Sequence, residues 1–239
     1  MKLHAPTSTD PNDWVALLPD EWEERMMSWG EPKYRGRQLF EWIHQRGVLE
    51  PEEMTNLPKS LRARLADEGM GWPLAMVSSH MSEDRTHKLL VGMPDGERVE
   101  TVLIPQVRDP DVVTQCISSQ VGCAMGCVFC ASGVAGLKRQ MTAGEIIAQV
   151  LLGRRELEPG QRIRNVVFMG MGEPLHNYDA LARALVVLTH SDGIDLSKRR
   201  VTVSTSGLVK QIDRLGKDFD GRVQLAISLH AVRDEDRSA

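Results

Sequence analysis

The spacing of apolar residues changes along the chain. Up to about residue 82 they recur at helical intervals, in short runs broken by Gly and Pro. A helix is predicted over residues 21–29, stopping at Gly30. A second is predicted from about Tyr34 to Arg46, with Leu39, Phe40, Trp42 and Ile43 on one face and Gly47 as its stop. After Leu57-Pro58, Ser60 is placed to cap a third helix carrying Leu61 and Leu65. The period then shortens to two. HKLLVGM (87–93) and ERVETVLIP (97–105) flank the turn tripeptide Pro94-Asp95-Gly96 and predict a β-hairpin.

From Val112 onward, strand and helix patterns alternate. VVTQCISSQ is β-branched and strand-like, and a cysteine loop follows it. Thr142-Ala143-Gly144-Glu145 has the form of a capping box, opening a helix with Ile146, Ile147, Val150 and Leu151 inward. IRNVVFMG reads as a buried strand ending in the loop MGEP (171–174), followed by a helix over 178–189 with Leu181, Leu185 and Leu188 on one face. RRVTVSTSG is a third strand, Leu208, Val209, Ile212 and Leu215 mark a third helix, and VQLAISLH is a fourth strand. This order predicts an α/β fold with a parallel sheet and right-handed crossovers. Four such strands would leave a parallel edge uncovered, so the pattern reads as part of a larger β/α barrel. The expected organisation is a small helical domain over 1–82, then a β-hairpin and an incomplete core over 83–239.

Composition narrows the function without naming it. With 29 basic and 33 acidic residues the net charge is −4, which excludes a globally basic nucleic-acid binder but leaves room for a local patch. No run of 18 apolar residues predicts a membrane helix. The N-terminal MKLHAPTSTDPNDW has no apolar core of a secretory signal, so the expected compartment is the cytoplasm.

The cysteines carry the sharpest signal. Cys116, Cys123, Cys127 and Cys130 lie within 15 residues, and the rest of the chain has none. A disulfide framework would spread them to close long loops, so crowding points to metal or redox chemistry. Cys123-Ala-Met-Gly-Cys127-Val-Phe-Cys130 has the spacing C-x3-C-x2-C at the end of a strand. Three thiolates on one tight loop can hold three corners of a cubane cluster and leave one iron open to a ligand. Gly122 and Gly126 give the backbone room to wrap it. Zinc is the alternative, with Cys116 as fourth ligand, though that requires the strand end to fold back.

CxxxCxxC after the first strand of a β/α series resembles the radical S-adenosylmethionine (SAM) superfamily. VETVLIP, CISSQVGCAMGCVFC, FMGMGEPLHN, LSKRRVTVSTSG and LAISLHA, with the YRGRQLFEWI helix, resemble its RlmN/Cfr family of RNA methyltransferases from about residue 33 onward. The resemblance implies a partial radical SAM barrel, consisting of its first four strands. It implies a [4Fe–4S] cluster that generates a radical from SAM, and methylation of adenine C2 in 23S rRNA and in tRNA, with C8 as the position used by a relative. Cys123, Cys127 and Cys130 match the cluster ligands. Gly172 and Glu173, Ser204, and Ser228, Leu229 and His230 match SAM contacts. Glu100 matches the proton acceptor. Cys116 matches a thiol that releases product by forming a disulfide with a methyl-carrying cysteine. Read without the family, MGEP alone is a Gly-Pro turn with a solvated Glu173, but its place at a strand end beside the cysteine loop favours a site residue; Glu100 is an exposed strand residue and Cys116 a small buried apolar one. The family's partners would be both RNAs and an electron donor such as a flavodoxin system, acting on a monomer.

The sequence also departs from that family. No cysteine follows Cys130, so the methyl-carrying cysteine, an asparagine that contacts SAM and the last two barrel strands would fall beyond Ala239. The chain therefore reads as a fragment, with a truncated RNA-binding protein holding a structural metal as the alternative. The segment Pro105–Cys116 looks three residues longer than the family's and reads as a surface insertion. The helical region resembles the family's accessory RNA-binding domain, and residues 33–47 carry Lys33, Arg35, Arg37 and Arg46 against Glu41, a net +3 suited to phosphates. Lys198-Arg199-Arg200 is expected at the end of the sheet away from the cysteine loop.

Overall fold

The computed structural model describes residues 13–233 and Glu235, so the signal reading of the first 12 residues lies outside the described residues. Three helices come first: α1 (Pro19–Ser28), α2 (Tyr34–His44) and α3 (Lys59–Asp67). Four antiparallel strands follow as a meander: β1 (Ala75–Met81), β2 (His87–Gly92), β3 (Arg98–Gln106) and β4 (Asp109–Cys116). The remainder alternates. It runs through β5 (Gln120–Gly122), α4 (Ala131–Val134), β6 (Leu137–Gln140), α5 (Ala143–Arg155), β7 (Arg162–Phe168), α6 (Tyr178–Leu188), β8 (Val201–Thr205), α7 (Val209–Asp218) and β9 (Gln224–Ile227).

The order β1-β2-β3-β4-β7-β8-β9 makes one seven-stranded sheet. Its β4, β7, β8 and β9 are mutually parallel, as the alternating pattern predicts. The sheet differs from the expectation in three ways. Residues 75–81, expected in the helical region, form β1 and extend the hairpin. Pro105–Cys116 is no insertion loop, because β3 and β4 pair along it and leave a tight turn at Val107 and Arg108. The meander therefore covers one edge of the parallel strands, and among the described residues β9 forms the other edge of the sheet. In the first crossover, β5 and β6 form a separate two-stranded ribbon that brackets the cysteine loop.

Alternation along β3 explains the two faces of the sheet. Val99, Thr101 and Leu103 are buried towards α5, whereas Glu100, Val102 and Ile104 lie on the opposite, open face. One hydrophobic core runs from Trp14 to Val223, joining the N-terminal helices to the sheet-covering helices. Charged groups fix that joint. Arg183 of α6 donates to the Ala16 carbonyl (2.7 Å) and pairs with Glu21, and Arg154 of α5 donates to the carbonyls of His44 and Gln45. Burial, with His190 and Arg154 close by, pushes the His44 imidazole down to about 3, so it packs neutral against Phe40.

Local chemistry moves some element ends. Glu21 accepts from the Leu18 N–H (2.7 Å) and Pro19 opens α1, so that helix begins two residues before its predicted start. Ser60 does not cap α3, which begins at Lys59 after an extended Pro58. The Thr142–Glu145 capping box forms as predicted.

Helices α1 and α2 meet at Gly36, where an added Cβ would lie 2.4 Å from the Glu23 nitrogen and 2.6 Å from the Trp22 carbonyl carbon. Alanine ordinarily favours a helix interior over glycine by about 1 kcal/mol. Here the overlap with backbone reverses the sign, and Gly36→Ala is expected to cost about 1–3 kcal/mol. Urea unfolding of the two chains checks this. An unchanged or higher midpoint contradicts the packing.

Candidate functional site

The site forms where the C-terminal ends of β4, β7, β8 and β9 meet the cysteine loop. The backbone leaving β4 enters the protein interior, where every N–H and C=O needs a partner. Fully buried Gln149 of α5 supplies two, accepting from the Ser118 N–H (2.9 Å) and donating to the Ser118 carbonyl (2.9 Å). The Ser118 hydroxyl donates to the Glu100 carbonyl (2.7 Å) and accepts from the Met171 N–H (2.9 Å). One side chain thus ties β3, the exit of β4 and the loop after β7 together.

That loop carries Gly172 and Glu173. Gly172 has φ +101°, and a Cβ there would lie 2.5 Å from the Gln120 side chain and 2.8 Å from its backbone nitrogen, so glycine is required twice over. Glu173 is not a solvated turn residue. It is 4% exposed, its N–H donates to the Gln120 side chain (2.7 Å), and its carboxylate accepts from the N–H groups of Leu175 (3.1 Å) and Ser206 (2.8 Å). Asn177 donates to the carbonyls of Ser119 and Met141, pinning the same loop to the β5–β6 ribbon.

The cysteine loop spans residues 123–136. At its base the Cys123 N–H donates to the Gly136 carbonyl (3.1 Å), and a Cβ on Gly122 would fall 1.9 Å from that oxygen. Burial pushes the Cys123 thiol up, opposed by a backbone hydrogen bond at Met125. The negative charges of Cys127, Cys130 and Glu173 push it up further. Ser206 bonds both the Glu173 carboxylate (2.8 Å) and the Met125 sulfur (3.0 Å), so Glu173 and the cysteine loop share one neighbourhood. Among the described residues, no three His, Cys, Asp or Glu side chains converge as they would around a single ion. The tight backbone cradle and the clustered thiols fit a cubane group, whose separate iron corners need no single point of convergence.

The remaining predicted residues divide into two sets. Ser204 and Ser228 come together, hydroxyl to hydroxyl at 3.1 Å. His230 packs at a tilt against Phe129 of the cysteine loop, with ring centroids 4.8 Å apart, and Leu229 next to it in sequence is half-exposed. Ser228, Leu229 and His230 lie past the end of β9, which stops at Ile227, short of its predicted extent. Glu100 and Cys116 stand on the open sheet face. Glu100 pairs with Lys88 at 3.0 Å, and Cys116 lies opposite Val102 in the β3–β4 register. Burial pushes the Cys116 thiol up, opposed by a backbone hydrogen bond at Met169. Lys198–Arg200 precedes β8, at the end of the sheet away from the loop, as expected.

Sequence reasoning missed Ser118, Gln120, Gln149, Asn177 and Ser206, which hold the functional groups in place. Ser206 donates its N–H to Glu173 and its hydroxyl to the Met125 sulfur, joining the loop after β8 to the cysteine loop. Gln149 alone left a signal, as an amide on the apolar face of α5 between Ile146 and Val150.

Comparison with known proteins is consistent with this geometry. Residues 117–238 match the radical SAM superfamily, and residues 17–69 match the ribosomal RNA large subunit methyltransferase N-terminal domain. The chain belongs to the radical SAM superfamily. The dual-specificity RNA methyltransferase RlmN of Sorangium cellulosum is 55% identical, across 94% of this chain and 66% of the relative. The probable RlmN of Heliobacterium modesticaldum is 44% identical, across 97% of this chain and 61% of the relative. The crystal structure of a radical SAM methyltransferase from Sphaerobacter thermophilus superimposes with a TM-score of 0.88 at 46% identity, covering 94% of this chain and 65% of that one. The chain thus spans just under two thirds of these proteins' lengths.

The upward shift of the half-buried Cys116 thiol has a direct consequence. With Cys123, Cys127 and Cys130 replaced by Ser, alkylation of Cys116 should be slower than that of an exposed cysteine near neutral pH. It should still be rising with pH where the exposed thiol has levelled off. Peptide mass spectrometry of iodoacetamide-treated protein reads this rate. A profile matching free cysteine contradicts the burial.

Proposed function

We propose that this chain is the N-terminal and central part of a radical SAM RNA methyltransferase that methylates C2 of an adenine in 23S rRNA and in tRNA. The observation that carries the reading is the convergence of the loop bearing Cys123, Cys127 and Cys130 with Glu173, through Ser206 and Met125, and with the Ser204–Ser228 pair at one end of a parallel sheet. Barrel enzymes place their chemistry at that end. The names of the relatives supply the substrate class.

In this reading Cys123, Cys127 and Cys130 hold a [4Fe–4S] cluster, with SAM as the second cofactor. When bound, the pair supplies a carbon radical, which reaches a base carbon too inert for ordinary alkylation. The protein's own residues bind and orient. Gly172 lets the backbone approach the ligand. Glu173, held by two backbone N–H groups, offers a carboxylate to the SAM amino group, and the Ser204–Ser228 hydroxyl pair, with Leu229 and His230, lines the strand ends beside it. Glu100 takes the proton that the ring carbon must lose, and Lys88 at 3.0 Å holds its carboxylate in place on the open face. Cys116, on that same face, is the thiol that would attack the sulfur linking a second cysteine to the modified base, so that the S–S bond forms as that sulfur–carbon bond breaks, its electron pair leaving with the carbon that becomes the new methyl group. The helical region contacts RNA phosphates, an external reductant supplies the electron, and the enzyme works as a cytoplasmic monomer.

Two measurements test the reading. After anaerobic reconstitution the chain should hold about four irons and four sulfides, and Cys127→Ala should be colourless. One zinc per chain, or full colour in that variant, refutes the ligand assignment. Adenosines from rRNA and tRNA of cells with and without the intact gene, resolved by mass spectrometry, should differ in 2-methyladenosine. A difference confined to 8-methyladenosine, or none, refutes the reaction.

A further inference from the structure

The cysteine loop is suspended from a ribbon too small to hold itself. Strands β5 and β6 pair at only three positions, Gln120 with Gln140, Val121 with Arg139 and Gly122 with Leu137. An isolated two-stranded ribbon is marginal in water, so its position must come from outside. One end is tied by the Gln120, Gln140 and His176 side chains. The middle pair, next towards the cysteine loop, is held by Arg139.

Arg139 makes a fork. Its two terminal nitrogens donate to both oxygens of Glu145 at 2.8 Å each, and its Nε donates to Asp95 in the β2–β3 turn at 2.5 Å. The Glu145 side chain is only 9% exposed and also accepts from the Thr142 N–H (2.9 Å) as the cap of α5. Next to it, Lys138 donates to Glu97 in the same turn (2.8 Å). The hydrogen bonds to Glu145 and Asp95 outweigh partial burial and push the Arg139 guanidinium above its ordinary value. A planar, bidentate, partly buried pair of this kind fixes direction as well as distance, which a lysine at the same place does not.

We propose that Arg139 is a positioning residue for the iron–sulfur cluster, clamping the base of the cysteine loop between the first turn of α5 and the β2–β3 turn. The inference rests on the cluster reading above. Because β6 leads directly out of the cysteine loop, movement at Arg139 is transmitted to residues 123–136, whose other supports include Ser206 against Met125 and Phe129 against His230. Glu145 keeps its capping bond when Arg139 is changed, so α5 stays formed.

The test compares the reconstituted parent with Arg139→Gln, Arg139→Lys and Glu145→Gln, the last retaining a capping oxygen. Loss of iron to a chelator under anaerobic conditions should be about tenfold faster in Arg139→Gln and Glu145→Gln, the scale seen when a supporting group around a metal site is removed. The electron paramagnetic resonance signal of the reduced cluster with SAM present should shift or broaden in both, while circular dichroism stays at the parent's. Arg139→Lys should recover only part of the loss. Chelation rates and spectra equal to the parent's in all three variants overturn the inference alone. A parent chain that takes up no iron and sulfide overturns the cluster reading, and this inference with it.

Discussion

The structure depends on satisfying the backbone where β4 ends. Ile117, Ser118 and Ser119 run through the interior past the end of β4; Ile117 and Ser119 bond to the backbone at the end of β7 and beyond it, whereas the Ser118 N–H and C=O turn to a side chain. Gln149 supplies both bonds at Ser118, and the Ser118 hydroxyl then reaches Glu100 on one side and Met171 on the other. A buried amide left unpaired costs about 1–3 kcal/mol, so this arrangement tolerates little variation. It also sets the function. The same bonds hold the proton-acceptor candidate, the isolated thiol, the Gly172 turn and the start of the cysteine loop in one frame.

Around that frame the charged side chains do two different jobs. Those between the helical region and the core, Arg183 with Glu21 and Arg154 with the end of α2, join the two parts through one continuous core. Those around the ribbon, Arg139 with Glu145 and Asp95, aim a loop that has little structure of its own. The cationic face expected on α2 is partly engaged within the protein. Lys33 lies near Glu23, Arg37 near Asp192, and Arg46 stacks on Trp42. Exposed pairs of this kind contribute little to stability and exchange readily, so they leave the face open to phosphate.

Much of this was legible in the order of residues. Apolar periodicity marked every helix that packs on the sheet, and the capping box at Thr142 formed as written, because both signals arise from contacts a few residues apart. The cysteine spacing identified the loop for the same reason: three thiols within eight residues must share a neighbourhood. β1 was invisible. Its residues are mostly exposed and lack alternation, and only pairing with β2 makes them a strand. The β3–β4 hairpin was hidden because Asp109-Pro-Asp reads as a loop until β3 supplies partners.

What the sequence by itself determined is the set of chemically active groups and the elements that bear them. Only the tertiary structure decided which groups meet. Glu173 became a buried, doubly bonded carboxylate through Ser206, 33 positions away, and Ser204 met Ser228 across neighbouring strands. Gln120, Gln149 and Asn177 acquired their roles from carbonyls and amides that no local pattern announces. The reason is physical. Periodicity records which side faces the core, whereas the pairing of buried polar groups depends on the register between elements distant in sequence.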